Sequence, residues 1–385
     1  MEMEPVRSAR GRWARAWDPV AADSVAAWAK AAAWARARVK DRAVAWVRVV
    51  AWVRVVVWAK AAAWAAVRAV AWDSAPRSPP TARPTDENTV GPHMKLAIAS
   101  GKGGTGKTTV ATNLAATIAG RGRTVAYVDC DTEAPNGHLF LHPRIEDTVA
   151  VERRVPQIDP DLCQHCGACA ELCRFNAILC LPARTVIYDE LCHSCGGCTL
   201  VCPEGAIREV SRPMGQVSRG TAGPVRFVSG TLDVGVANSP PVVRAAKRAA
   251  PEAEWTILDA PPGTSCPMIE TVRDCDYLVL VTEPTPFGLH DLRLAIAVAR
   301  SLGRPCGVVV NRARPEAGEA RTLCAEEGVP LLAEIPEDIA IARAYARGRL
   351  AVECVDGLPA LFENLYRTLE TACGAPAACG PKGRQ

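Results

Sequence analysis

The nine residues GKGGTGKTT, 101–109, constrain this chain more than any other stretch of its 385 residues. They follow a short apolar run suited to a buried strand (KLAIAS, 95–100) and precede a helical pattern (VATNLAATIAG). A strand, a glycine-rich loop and a helix in that order make a cradle for phosphate. Glycines let backbone N–H groups converge on phosphate oxygens, and the helix N-terminus adds partial positive charge. The candidate contacts run through Gly103, Gly104, Thr105, Gly106, Lys107, Thr108 and Thr109. Lys107 is placed to reach the β- and γ-phosphates of a nucleotide, and the Thr108 hydroxyl to coordinate Mg²⁺.

Further strand-sized apolar runs end in polar residues that suit such a loop. Residues 124–128 (TVAYV) lead into DCDTEAPN, 129–136, and residues 255–258 (WTIL) lead into DAPPGT, 259–264. An acid directly after a buried strand can hold Mg²⁺ through water, which is the role expected of Asp259. Gly263 is placed to offer its N–H to a γ-phosphate and so to sense hydrolysis. Residues 277–282 (YLVLVT), 307–310 (GVVV) and 331–335 (LLAEI) extend the series. Strands alternating with helices predict an α/β fold, a P-loop NTPase with a mostly parallel sheet and the nucleotide at the strands' carboxyl ends.

Eight cysteines interrupt that alternation. Cys163, Cys166, Cys169 and Cys173 follow the spacing C-x2-C-x2-C-x3-C; Cys192, Cys195, Cys198 and Cys202 repeat it, and Pro203 follows. The offset is 29 residues throughout, with Ala177-Ile178 matched by Ala206-Ile207. Short spacings let three thiolates converge on one iron–sulfur cubane from a tight loop, where Gly167, Gly196 and Gly197 relieve crowding. Zinc is the alternative, although its sites usually use paired C-x2-C units. The chain has 17 cysteines and no secretory signal, so the thiols read as metal ligands in a reducing, cytoplasmic compartment. Cys173 is followed by Arg174 where the usual pattern has proline, and a positive charge there is expected to raise that cluster's potential.

The duplicated cysteine pattern resembles the bacterial two-cluster ferredoxins, an α+β fold in which the fourth cysteine of each run ligates the other cluster. The resemblance implies one [4Fe–4S] cluster on Cys163, Cys166, Cys169 and Cys202, and a second on Cys173, Cys192, Cys195 and Cys198. The phosphate loop carries a second lysine, Lys102, five residues before Lys107. In this it resembles the deviant Walker A loop of the MinD, ParA and Mrp-type ATPases and the nitrogenase iron protein. That resemblance implies ATP-dependent homodimerisation with Lys102 acting across the interface. It also implies that Asp129 supports Mg²⁺ beside Asp259, that Asp131 orients or deprotonates the attacking water, and that Asn311 lies against the adenine. The two acidic segments become switches that change shape with the nucleotide. The nitrogenase iron protein has a cluster-ligating cysteine at an offset matching Cys266, but an ordinary structural cysteine is the expected reading here. The other cysteines outside the two runs read as small apolar residues.

Residues 94–385 as a whole resemble ATPases of this superfamily that carry an inserted ferredoxin domain. The expected boundaries give an ATPase domain of residues 94–154 and 213–385 and an insert of 155–212. The arrangement implies ATP hydrolysis that gates electron transfer, or delivery of a cluster, to a partner protein. An iron–sulfur scaffold whose ferredoxin clusters are structural is the alternative. A positioning ATPase of the septum or plasmid type is disfavoured, because the tail TACGAPAACGPKGRQ is neither an amphipathic membrane helix nor a basic DNA patch.

Residues 1–93 read differently. They hold nine of the ten Trp and no Leu, Ile, Phe, Tyr or Cys, with 15 basic against 8 acidic groups. Trp recurs every six residues between Trp46 and Trp64, which spreads the rings over three directions of a helix. A basic, Trp-bearing segment can lie on a membrane surface. The repeated six-residue units nonetheless read as translated repetitive DNA ahead of a true start at Met94, disordered and low in complexity. The remainder has 30 basic and 33 acidic groups, a balance that excludes a surface coated in positive charge for nucleic acid. No run of 18 uncharged apolar residues suggests a membrane span.

Overall fold

A computed structural model describes residues 93–314 and 318–374. The extension expected to be disordered therefore lies outside the described residues, apart from His93, and so does Cys379. Strands β1 (Met94–Ala99), β2 (Val125–Asp129), β8 (Trp255–Asp259) and β9 (Tyr277–Thr282) appear where their apolar runs predicted them, within one residue at each end. Three more were not read from the sequence: β3 (Arg144–Ile158), β6 (Ile207–Ala222) and β7 (Val225–Leu232). With β10 (Cys306–Ala313) and β11 (Leu331–Pro336) they form a nine-stranded sheet in the order β11-β10-β9-β1-β8-β2-β7-β6-β3. The pairings from β11 to β7 are parallel; β7–β6 and β6–β3 are antiparallel.

Both faces of the parallel part are covered, which is why its strands are continuous apolar runs. Successive side chains alternate between two cores. Leu96, Ile98, Ile257 and Val279 face α1 (Lys107–Gly120) and α10 (Leu358–Gly374). Ala97, Ala99, Leu258 and Leu278 face α5 (Pro240–Ala249), α6 (Cys266–Val272) and α7 (Pro286–Ser301). Such a sheet holds the carboxyl ends of β1, β2 and β8 rigidly side by side.

The antiparallel edge does something else. β6 is flanked by β7 only from Gly215 onward, whereas β3 and β6 stay paired as far as Ile158↔Ile207. Residues 152–158 and 207–213 are therefore a two-stranded arm, about 23 Å long at 3.3 Å per residue. A register shift beside Val151/Glu152, where β6 skips Met214, marks where the arm leaves the sheet. The domain boundaries expected at 154/155 and 212/213 fall inside this arm, which is continuous through both.

The end of the arm carries α3 (Ala168–Leu172), the hairpin β4 (Ile178–Leu181)–β5 (Arg184–Ile187) and α4 (Gly197–Val201). The 29-residue repeat is a repeat of backbone shape as well as of cysteines. Left-handed conformations recur at His165 and Ser194, at Gly167 and Gly196, and at Asn176 and Gly205. Ile178 pairs with Ile187 as Ile207 pairs with Ile158. The module is thus two copies of one loop–helix–strand unit.

Candidate nucleotide site and cysteine module

The phosphate loop forms where β1 ends against the start of α1. Gly106, the residue before the helix, has φ 94° and lies so close to Asn311 that an added Cβ would sit 2.2 Å from its side-chain amide. Glycine is required there on both counts. Asn311 is buried and donates its amide to the Thr105 carbonyl at 2.8 Å, so it braces the loop from beneath. That contact was not foreseen for Asn311, which was expected at the base. Gly263 has φ 84° and donates its N–H to the Ser100 carbonyl at 3.1 Å, so reaching a phosphate requires that bond to open.

Lys107, Asp129, Asp131 and Asp259 lie together at the loop. Lys107 is buried, and burial holds its ammonium below the usual lysine range, offset in part by Asp259 and Asp131. Asp129 and Asp259 are register partners at the ends of β2 and β8, and both are fully buried. Burial pushes both carboxyls up, Asp259 to about 6. Asp129 accepts N–H groups from Asp131 (3.2 Å), Asn136 (3.0 Å) and Gly137 (2.9 Å). Asp259 Oδ2 accepts the Tyr127 hydroxyl at 2.8 Å, while Oδ1 is buried with no hydrogen-bond partner. The Thr108 hydroxyl is near enough to favour the charged carboxylate but makes no well-formed bond to that oxygen. Two buried acids and an orphaned carboxylate oxygen beside Thr108 suit a hydrated divalent cation. Asp131 is half-buried at the mouth of the site; burial raises its carboxyl and Lys107 lowers it.

Lys102 does not point into its own site. Its Nζ pairs with Glu283 Oε2 at 3.1 Å, and the other oxygen of that carboxylate pairs with Arg312. Neither Glu283 nor Tyr127 was singled out in the sequence. Tyr127 is an ordinary residue of β2 and Glu283 directly follows β9, until the fold brings each against a partner more than 100 positions away.

In the cysteine module, Cys163, Cys166, Cys169 and Cys202 line one cavity with Ile158 and Ile207 as its floor. The fourth thiol of the second run thus joins the first three of the first. Of the second set, Cys173 packs against Cys192 with Val155, Ala177 and Val210, Cys192 lies within electrostatic reach of Cys195 and Cys173, and Cys198 lies within reach of Cys195 and Cys192 while also packing against Cys169, Ile178 and Ile207. Backbone N–H groups already point at sulfur, Ala177 to Cys173 and Ser194 to Cys192, each at 3.4 Å. Among the described residues, no three His, Cys, Asp or Glu side chains converge tightly enough for a single metal ion.

Residues 96–352 match the profile of the CobQ/CobB/MinD/ParA nucleotide-binding domain. The chain belongs to that family. Among curated relatives, an uncharacterized protein of Methanocaldococcus jannaschii is 39% identical over 205 residues, 52% of this chain and 72% of the relative. An iron–sulfur cluster carrier protein of the same organism is 24% identical over 272 residues, 66% of this chain and 76% of the relative. Among solved structures, the septum site-determining protein MinD of Pyrococcus horikoshii in complex with Mg-ADP is 23% identical, with a TM-score of 0.46, covering 73% of this chain and 98% of that one.

Within this MinD/ParA-type frame the scattered cysteines divide. Cys130, Cys275 and Cys324 are core residues, in keeping with their reading as small apolar residues outside the two runs. Cys266 is exposed at the first position of α6. Cys180 departs from the expectation: it is half-buried beside the first cysteine set, donating to the His165 carbonyl (3.3 Å) and accepting from the Thr185 hydroxyl (3.4 Å). No helix among the described residues is long and apolar enough to cross a membrane.

Proposed function

We propose that this MinD/ParA-type protein hydrolyses ATP as a nucleotide-dependent homodimer and couples its nucleotide state to two [4Fe–4S] clusters held by an inserted ferredoxin-like module. Lys107 and the N–H groups of residues 103–109 bind the phosphates. Thr108, Asp129 and Asp259 would hold Mg²⁺, which supplies charge neutralisation at the β- and γ-phosphates. Asp131 orients the attacking water at the mouth of the site. Lys102, freed from Glu283, reaches the nucleotide of the partner subunit, Gly263 exchanges Ser100 for a phosphate oxygen, and the side of Asn311 not bound to Thr105 meets the base.

The two cysteine sets would hold the clusters, which supply one-electron storage. The observation that carries this reading is the cavity ringed by Cys163, Cys166, Cys169 and Cys202 at the end of an arm continuous with the nucleotide-binding sheet. The triple run plus a distant fourth cysteine suits a cage whose irons each take one thiolate better than the paired C-x2-C units usual for zinc. The module lies in sequence between the two candidate switches, so their movement reaches it through β3 and β6.

Anaerobic purification with iron and sulfide counting, followed by ATPase assays of oxidised and reduced protein, tests the proposal. The expected result is about eight irons per chain and a hydrolysis rate that depends on redox state. Equal rates in both states remove the coupling, and zinc in place of iron removes the clusters. Relatives named iron–sulfur cluster carrier proteins, at 24% and 25% identity, favour delivery of a cluster as a second reading. Incubation with an apo iron–sulfur target separates the two, because a carrier loses iron to the target and a redox protein keeps it.

A further inference from the structure

The two cysteine sets share a backbone shape but not an electrostatic environment. Val155 and Ile158 are three residues apart on β3 and so face opposite sides of the arm. Ile158 floors the first set, and Val155 packs against Cys192 and Cys173 of the second. Arg153, two residues before Val155, lies on the second set's side, where its Nη1 donates to the Cys192 carbonyl at 3.2 Å.

This arginine is only 8% exposed. Its Nε is buried with no hydrogen-bond partner, and among the described residues no carboxylate forms an ion pair with it. A buried guanidinium without an anion is costly unless something negative belongs beside it. The thiol of Cys192 already feels its positive charge. Two carboxylates lie near that loop: Glu209 Oε1 would be 3.5 Å from a Cβ at Gly196, and Asp189 pairs with Arg212 at 3.6 Å, but both residues are half-exposed and their fields are screened by water.

The first set has no counterpart. The position 29 residues after Arg153 is Pro182, in the turn that closes the β4–β5 hairpin, so no strand continues there to present a side chain. Arg174, next to Cys173, likewise has Pro203 as its repeat mate, next to Cys202. The cavity of the first set is bordered by Glu204 instead.

We infer that Arg153 is the buried counter-charge of the second cluster, making that cluster the more readily reduced and setting the direction of electron flow within the module. The inference rests on the proposed cluster occupancy. The two cysteine sets would each hold one electron carrier, so an electron supplied by a low-potential one-electron donor protein would come to rest on the set beside Arg153, and the set without such a charge would be left oxidised. No bond forms or breaks and no proton moves. Arg153 is a positioning charge in this scheme, and the arm that roots the module in the ATPase sheet is what supplies it.

The test is an equilibrium redox titration of the full-length holoprotein followed by EPR, with iron counted in each sample. Wild-type protein should show two separable one-electron steps, and Cys195→Ser should perturb the signal of the higher step. In Arg153→Gln the higher step should fall while the lower holds. The ratio of molecules reduced at the second cluster to those reduced at the first should drop about tenfold, about 59 mV for a one-electron couple. Arg153→Lys, which keeps the charge, should preserve the order of the steps even if Arg153→Gln fails to load iron. An unmoved higher step in iron-replete Arg153→Gln, an equal fall of both steps, or a reversed order in Arg153→Lys overturns the assignment. A wild-type preparation without iron or EPR signals defeats the cluster reading itself, a result distinguishable from all of these.

Discussion

The nucleotide site and the cysteine module solve the same problem, holding several ligating groups together, by opposite means. Asp129 and Asp259 stand at the ends of strands whose two faces are both covered by large apolar cores, and Lys107 opens the helix packed on one of those faces. The site exists because the sheet does. The module has only small apolar clusters, Val155 with Ala177 and Cys192 on one side and Cys169 with Ile178 and Ile207 on the other. Cys169 and Cys192 are themselves candidate ligands, while Leu162, Leu172, Leu179, Leu181, Leu191 and Leu200 are exposed. A unit with cores that small buries little surface, and a cross-link or a metal would supply much of its stability. On the proposed reading, the contrast teaches that ligand binding is added to the fold in the first region and would be part of folding in the second.

Removing the clusters is the strongest way to break that comparison. Chelation of anaerobically purified protein should abolish amide protection across residues 159–206, while the strands around the phosphate loop keep theirs, as hydrogen exchange would show. Simultaneous loss in both regions would mean that they fold as one unit. Next in size, Lys107→Ala should lower ATP hydrolysis by roughly 10²–10³-fold, yet iron content should be unchanged. A matching fall in iron would tie loading to nucleotide.

A pH series sharpens the nucleotide side. The Asp259 carboxyl is raised to about 6 in the folded protein, above its unfolded value of 3.8. Its contribution is therefore fully present below the unfolded value and lost as pH rises through 6. Metal-free protein should lose up to about 3 kcal/mol between pH 4 and 7. Mg-nucleotide, which needs the carboxylate, should stabilise increasingly over the same window. Thermal melts of wild type and Asp259→Asn, the latter flatter with pH, would check both signs. The smallest effect is expected from Glu283→Gln, which frees Lys102 from a part-buried pair worth about 1 kcal/mol. Self-association with a non-hydrolysable ATP analogue, followed by sedimentation, should tighten roughly threefold, and weakened association would show that the pair supports the dimer instead.

Legibility in the sequence followed the range of the physics involved. The phosphate loop, the apolar strands of the parallel sheet and both cysteine runs are local patterns, and each lies within a few residues of its place in the fold. β3 and β6 escaped because an antiparallel arm rich in Arg and Glu has no apolar run to announce it. Asn311 was read for the base, but its amide is bound to Thr105, a contact across 206 positions that no local pattern encodes. Tyr127 under Asp259, Glu283 on Lys102 and Arg153 beneath Cys192 share that character.

What the amino-acid order decided unaided was chemistry with a short reach: glycines where a loop must wrap phosphate, thiols at a repeat that two tight turns can present. Only the tertiary structure decided which charges lie beside those groups. Coulomb interactions depend on distance in space and on burial, and neither is set until strands far apart in the chain are laid side by side.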